Sequence, residues 1–170
     1  IATIFETLGR GLAVEPVIEN ILVAGRLFAA TAPVELSDNW LPSLLDGSRR
    51  IALAHSEQRG RPGRLWVECT ARPEGSDMRL NGAKICVPSG AGADAYIVSA
   101  RDAGKPDSRD GVGLYFVPAN SPGLTRQNWR MADGSVAVSL NFDGVMVDEG
   151  SRLLGGIEAI EAIQILANLA

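Results

Sequence analysis

The sequence predicts an α+β protein: helices first, an antiparallel β-barrel or sandwich in the middle, and a helix at the end. Three observations predict it. Apolar residues recur at helical spacing over the first third, the period falls to two from Arg49, and the helical period returns from Gly156. The corresponding division is 1–48 for the end of a helical domain, 49–155 for a β domain and 156–170 for the start of a second helical domain.

Each element has its own signal. Ile1, Ile4, Phe5, Leu8 and Leu12 trace a first helix, loosened at Gly9 and Gly11. Pro16 suits the first position of a second, which continues through Val17, Ile18, Ile21, Leu22, Gly25 and Phe28. Pro33 opens a third, carrying Val34, Leu36, Trp40, Leu41, Leu44 and Leu45 until Asp46-Gly47 stops it. Pro42 inside that pattern predicts a kink or break near Leu41. These helices are apolar on more than one face, which predicts packing against something outside this chain.

From Ile51 the alternation puts Ile51, Leu53 and His55 on one strand face and Ala52, Ala54 and Ser56 on the other. Leu65, Val67 and Cys69 read as a further strand. Met78 to Leu80 reads as another, with Asn81-Gly82 as a hairpin turn into Lys84–Val87. Runs at 95–100, 112–117, 124–129, 136–142 and 145–147 follow, split by Gly, Pro and Asp. The predicted core is Ile51, Leu53, Val67, Leu80, Val87, Ile97, Leu114, Phe116, Leu140 and Phe142. Ile157, Ile160, Ile163, Leu166 and Ala167 mark the closing helix.

Composition excludes several functions. With 16 basic and 20 acidic residues among 170, the net charge of −4 argues against a nucleic-acid binder. No apolar run approaches the roughly 20 residues of a membrane span. One His and two Cys are too few for most structural zinc sites. Cys69 and Cys86 read as thiols in a reducing, cytoplasmic setting. The chain begins at Ile1 and stops at Ala170 inside an apolar helical stretch, so it reads as cut at both ends.

Four local patterns invite chemistry. Gly90-Ala-Gly92 imitates a dinucleotide fingerprint, but Tyr96-Ile97-Val98 beyond it reads as a strand and not as the helix that receives a pyrophosphate. His55 beside Ser56 imitates a catalytic dyad, yet strand neighbours point to opposite faces, and a buried, hydrogen-bonded histidine is the simpler reading. The basic loop Arg59-Gly60-Arg61-Pro62-Gly63-Arg64 reads first as a solvated turn and second as a holder of phosphate. Asp133-Gly134-Ser135 and Asp143-Gly144 read as turns.

In their order along the chain, these segments resemble the acyl-CoA dehydrogenase family. The resemblance is carried by residues 8–16, by Trp40-Leu41-Pro42-Ser43-Leu44-Leu45-Asp46-Gly47, by Ala52-Leu53-Ala54-His55-Ser56-Glu57 and by Leu80-Asn81-Gly82-Ala83-Lys84. Ala93-Asp94, Met131-Ala132-Asp133-Gly134 and residues 140–147 continue it to the end of the β domain. The Ala-His-Ser-Glu strand most resembles the small-subunit branch, as in pimeloyl-CoA dehydrogenase. The resemblance implies a FAD enzyme that oxidises an acyl-CoA substrate to the trans-2-enoyl-CoA and passes electrons to an electron-transfer flavoprotein. It implies a homo- or hetero-oligomer with a second acyl-CoA dehydrogenase-like subunit.

Carried over by position, the resemblance places Leu53, His55 and Ser56 of one strand and Cys86, Val87 and Pro88 of a second beside the flavin. Arg59 and Arg61 fall where substrate contacts are expected. The departures lie in the second strand, where Cys86 replaces an aromatic wall and Pro88 lacks both a hydroxyl and an amide. The catalytic glutamate of the family would lie beyond Ala170, so the chain carries no catalytic residue of its own. The alternative is a scaffold subunit with a degenerate flavin site, in a heteromeric enzyme whose partner holds the complete one.

Overall fold

A computed structural model describes the protein over residues 2–13, 16–61 and 65–161. Ile1, Val14 and Glu15, the Pro62-Gly63-Arg64 part of the basic loop, and Ile163, Leu166 and Ala167 fall outside those residues. Helix α1 (Ala2–Arg10) is followed by a π-helical stretch, Val17–Gly25, that runs directly into α2 (Arg26–Thr31). Helix α3 (Val34–Leu45) follows and is not broken at Pro42 as expected. Pro42 and Asp38, whose carbonyl loses its partner, are both exposed, so the missing bond leaves no buried polar group behind. The Asp46 amide still donates to the Pro42 carbonyl, at 3.1 Å.

Eight strands form one sheet: β1 (Ile51–Ala54), β2 (Thr70–Glu74), β3 (Asp77–Pro88), β4 (Ala95–Arg101), β5 (Val112–Pro118), β6 (Leu124–Arg130), β7 (Val136–Val147) and β8 (Arg152–Leu153). Their order is β6-β7-β3-β2-β4-β5-β8, with β1 also paired to β4. The α+β class is observed, but the sheet is open and mixed, where an antiparallel barrel or sandwich was expected. Both β1 and β2 lie parallel to β4, one beside its start and the other at Arg101. The chain continues from β1 to β2 in one direction along β4, and the described residues between them, 55–61 and 65–69, form no strand. Leu65, Val67 and Cys69 therefore lie in that connection.

Two expected turns are interior to strands. Strand β3 runs through Asn81-Gly82, and the hairpin from β2 lies instead at Gly75-Ser76. Strand β7 likewise runs through Asp143-Gly144. The two dipeptides face each other: pairing passes from Leu80↔Val145 to Gly82↔Phe142, so two residues oppose Asn81 in a β-bulge. Asn81 Oδ1 accepts the Gly144 amide at 2.9 Å. Gly82 has φ +135°, and a Cβ there would lie 2.8 Å from the Cys69 Cα. Close backbone approach, and not a turn, requires this glycine.

The sheet buries both faces. One core gathers Ala52, Ala54, Leu80, Val98, Tyr115, Leu140 and Phe142. The other joins Ile51, Ile97, Leu114 and Phe116 to Leu27 and Phe28 of α2 and to Ile157 and Ile160 of the helical residues 156–161. Phe116 meets Phe28 at 5.3 Å and Trp40 at 4.7 Å between ring centroids. Every expected core residue is buried except Leu53, which is half-buried. Arg101 ties the loop after β4 to the sheet, donating to the carbonyls of Val67, Ala103, Pro106, Ser108 and Asp110 at 2.7–3.1 Å. Among the described residues no helix is long and apolar enough to cross a membrane.

Candidate functional site

The end of β1 and the end of β3 converge because β3 itself is bulged near its end. Pairing with β7 passes from Lys84↔Leu140 to Val87↔Val138, so Ile85 and Cys86 share one opposing residue. The displaced Ile85 amide donates to the Ser56 carbonyl at 2.9 Å and locks the two strand ends together. Cys86 adopts φ +48°, a left-handed conformation that L residues rarely hold without support from their surroundings.

The result is a cleft of about 220 Å³ lined by Leu53, His55, Ser56, Cys86 and Pro88, with Glu19 and Val23 closing it from the π-helical stretch. The structure thus brings together five of the six residues expected beside a flavin. The Val87 side chain is buried in the first core instead, 1% exposed. Glu19 and Val23 were missed because helical periodicity cannot show a local switch to π geometry, which recurs at functional sites.

Beneath His55 lies a buried polar cluster that sequence reasoning also missed. Lys84 on β3 is fully buried and pairs with Glu57 at 2.6 Å. Its ammonium group also donates to Ser99 Oγ at 3.0 Å and to the His55 carbonyl at 3.2 Å. Glu57 in turn accepts the Glu68 and Cys69 amides, at 2.5 and 3.0 Å. His55 Nδ1 lies 2.8 Å from Ser99 Oγ. Burial first, and the Lys84 charge second, lower the imidazole pKa from 6.5 to about 4, against opposing pulls from Glu57 and Glu161. Burial also lowers the Lys84 pKa, and raises that of Cys69 to about 11. The available signal was a lysine and a serine inside otherwise apolar strands, since a buried charge needs a partner.

Arg59 and Arg61 are exposed and border a different hollow, with Gln58, Trp66 and Asp107. Arg59 contacts Glu68 at 3.3 Å, and neither arginine lines the cleft. Gly90–Gly92 forms one 3-10 turn ahead of β4, with no helix to receive a phosphate. Asp94 serves the fold: its carboxylate accepts the Arg50 amide at 2.8 Å at the start of β1. No cluster of metal-ligating side chains occurs among the described residues.

Comparison with known proteins gives this arrangement its context. A family model described as the acyl-CoA dehydrogenase middle domain matches residues 52–145. An acyl-CoA dehydrogenase of Mycobacterium tuberculosis, FadE27, is 26% identical over 96% of this chain and 40% of its own length. The ChsE4-ChsE5 complex from Mycobacterium tuberculosis contains a chain 28% identical at a TM-score of 0.77, over 94% of this chain and 40% of that one. A glutaryl-CoA dehydrogenase from Mycobacterium smegmatis, solved in complex with FADH2, shares the fold at 24% identity and a TM-score of 0.77, over 86% of this chain and 38% of its own. The chain thus spans about 40% of the length of these relatives. With the family match covering the sheet from β1 to β7, the chain belongs to the acyl-CoA dehydrogenase family.

Proposed function

We propose that this chain supplies the flavin-facing β domain of a FAD-dependent acyl-CoA dehydrogenase, and that the cleft between β1 and β3 takes one face of the isoalloxazine ring. The observation that carries the reading is the convergence of Leu53, His55, Ser56, Cys86 and Pro88 on one cleft, drawn from two segments, 53–56 and 86–88, that are remote in sequence. At about 220 Å³ the cleft lies below the roughly 300 Å³ at which ligand pockets usually begin, so it would cover part of a ring system and not a whole dinucleotide. Its donor set fits too, since an imidazole and a hydroxyl can both meet the acceptor atoms of a heteroaromatic edge. Leu53 and Val23 supply the apolar walls on which such a ring would rest.

Bound FAD would supply the acceptor for the hydride that leaves the β carbon of the acyl-CoA as the trans-2-enoyl-CoA forms. The residues of this chain would bind and orient the ring and exclude water from it. The base that removes the α proton would come from elsewhere in the intact protein. Electrons would pass on to an electron-transfer flavoprotein, and the protein would work in the cytoplasm. Parts 1–48 and 156–170 would be portions of the helical domains on either side.

A second reading is favoured by Cys86 and Pro88. Pro88 offers no amide, and Cys86 holds its strained backbone without an aromatic side chain. On that reading the chain is a scaffold subunit, and a second dehydrogenase-like subunit holds the complete flavin. The heteromeric ChsE4-ChsE5 relative supports a paired assembly under either reading.

Flavin absorbance of the full-length protein, purified alone and then with its partner, separates the two. Flavin retained by the protein alone and bleached by acyl-CoA supports the first reading. Flavin retained only with the partner supports the second.

A further inference from the structure

We propose that Ser99 and Lys84 lock His55 as a neutral imidazole protonated on Nε2, so that the cleft presents a fixed hydrogen-bond donor and selects a ligand atom that accepts. The argument follows from proton bookkeeping on three side chains. Lysine donates three protons and accepts none. Lys84 has three acceptors in reach, namely Glu57 Oε1 at 2.6 Å, Ser99 Oγ at 3.0 Å and the His55 carbonyl at 3.2 Å. All three of its protons are therefore used, and one of them fills a lone pair of Ser99 Oγ.

Ser99 is fully buried, and among the described residues its hydroxyl has one further partner, His55 Nδ1 at 2.8 Å. If Nδ1 carried the proton, Ser99 Oγ would receive two donors and its own hydrogen would be buried with nothing to accept it. The satisfied arrangement runs the other way: Lys84 donates to Ser99, Ser99 donates to Nδ1, and the proton of the ring sits on Nε2. A doubly protonated ring conflicts with the same Ser99 contact and with the ammonium group behind it. The charged and titratable groups around the ring are Lys84 and Glu57 below it, Glu161 of the closing helix, and Glu19 and Cys86, which line the same cleft. Burial and Lys84 keep the ring neutral down to about pH 4, in agreement with this assignment.

Ser99 and Lys84 are positioning residues here, since they reach the cleft only through His55. The assignment stands on this chain alone, and it rests on the flavin reading only in naming the accepting atom as part of an isoalloxazine. The test is long-range proton–nitrogen correlation on the full-length protein labelled with nitrogen-15 histidine, the His55 signals being identified by their loss in His55→Gln. The expected spectrum at pH 7 shows one protonated nitrogen, Nε2, and one bare nitrogen, Nδ1. A ring protonated on Nδ1, or on both nitrogens, overturns the proposal whatever the variants do.

In Ser99→Ala the single tautomer should give way to a mixture, and in Ser99→Thr, which keeps the hydroxyl, it should persist. An unchanged spectrum in a folded Ser99→Ala overturns the role of Ser99. Adding FAD separates the two claims. An Nε2 signal that shifts with FAD supports both, while the expected tautomer with no response to FAD supports the lock and counts against the flavin reading.

Discussion

Lys84 and Glu57 form a consequential pair, because both side chains are buried and each holds further bonds. Removing one partner leaves the other charge buried, which in proteins typically costs about 3–5 kcal/mol. Lys84→Met should therefore lower the unfolding free energy by about that much in a denaturant titration, leaving the Glu57 carboxylate with only two amides. Adding Glu57→Gln should recover part of the loss by removing the unpaired charge, although its single amide oxygen keeps one of the two backbone amides that Oε1 and Oε2 of the carboxylate accept. Strict additivity of the two changes would show that the pair is not coupled. His55 makes a separate prediction about pH. Its folded pKa of about 4 lies below the 6.5 of an unfolded histidine, so between those values the unfolded chain binds a proton that the folded one does not. Stability due to His55 is complete above pH 6.5 and is lost as pH falls toward 4, by up to about 3 kcal/mol. Denaturant midpoints at pH 7.5 and 4.5 should differ less in His55→Gln than in the wild type. Equal differences would place the imidazole in a solvated setting.

At the scale of elements, strand β3 decides where the site forms. Its pairing with β7 is interrupted twice, by a bulge of β7 opposite Asn81 and by a bulge of β3 itself at Ile85-Cys86, and the second delivers Cys86 and Pro88 to the end of β1. Gly82→Ala should cost about 2–4 kcal/mol, combining a disfavoured φ with a backbone contact at 2.8 Å. A thermal melt within a degree or two of the wild type would show that the strand can yield there. This strand also marks the limit of what the sequence makes legible. Alternating apolar residues revealed the core, because burial on a pleated sheet leaves a period of two whatever the sheet's connections. Asn-Gly and Asp-Gly misled, because a bulge and a hairpin ask for the same positive φ and differ only in what lies opposite. The Lys84–Ser99–His55 chain was invisible for a like reason: its members are separated by 15 and 44 residues, and only the folded sheet brings β3 and β4 and the end of β1 together. The cleft residues themselves were legible through the family resemblance, while the π-helical residues that close it were not.

On the scale of the whole molecule, the helices and the sheet share a core, and this bears on how the proposed parts 1–48, 49–155 and 156–170 depend on one another. Leu27, Phe28, Ile157 and Ile160 are each no more than 2% exposed, and they cover Ile97, Leu114 and Phe116 of the central strands. Burying such side chains stabilises a fold by about 1.5–3 kcal/mol apiece. A polypeptide of residues 49–155 would keep the first core but expose the second, whose apolar strand face would then lie open to water. It should unfold at a clearly lower denaturant concentration than 1–170 and bind an apolar dye that 1–170 binds weakly. The outward faces of the helices point the other way: Ile4, Leu12, Ile18, Ile21, Val34 and Leu45 are 45–87% exposed. Apolar surface on this scale favours association, so 1–170 should elute from size exclusion as more than a monomer. If 49–155 matched the stability of 1–170 and both eluted as monomers, the sheet would be self-sufficient and the helices would contribute neither core nor contact surface.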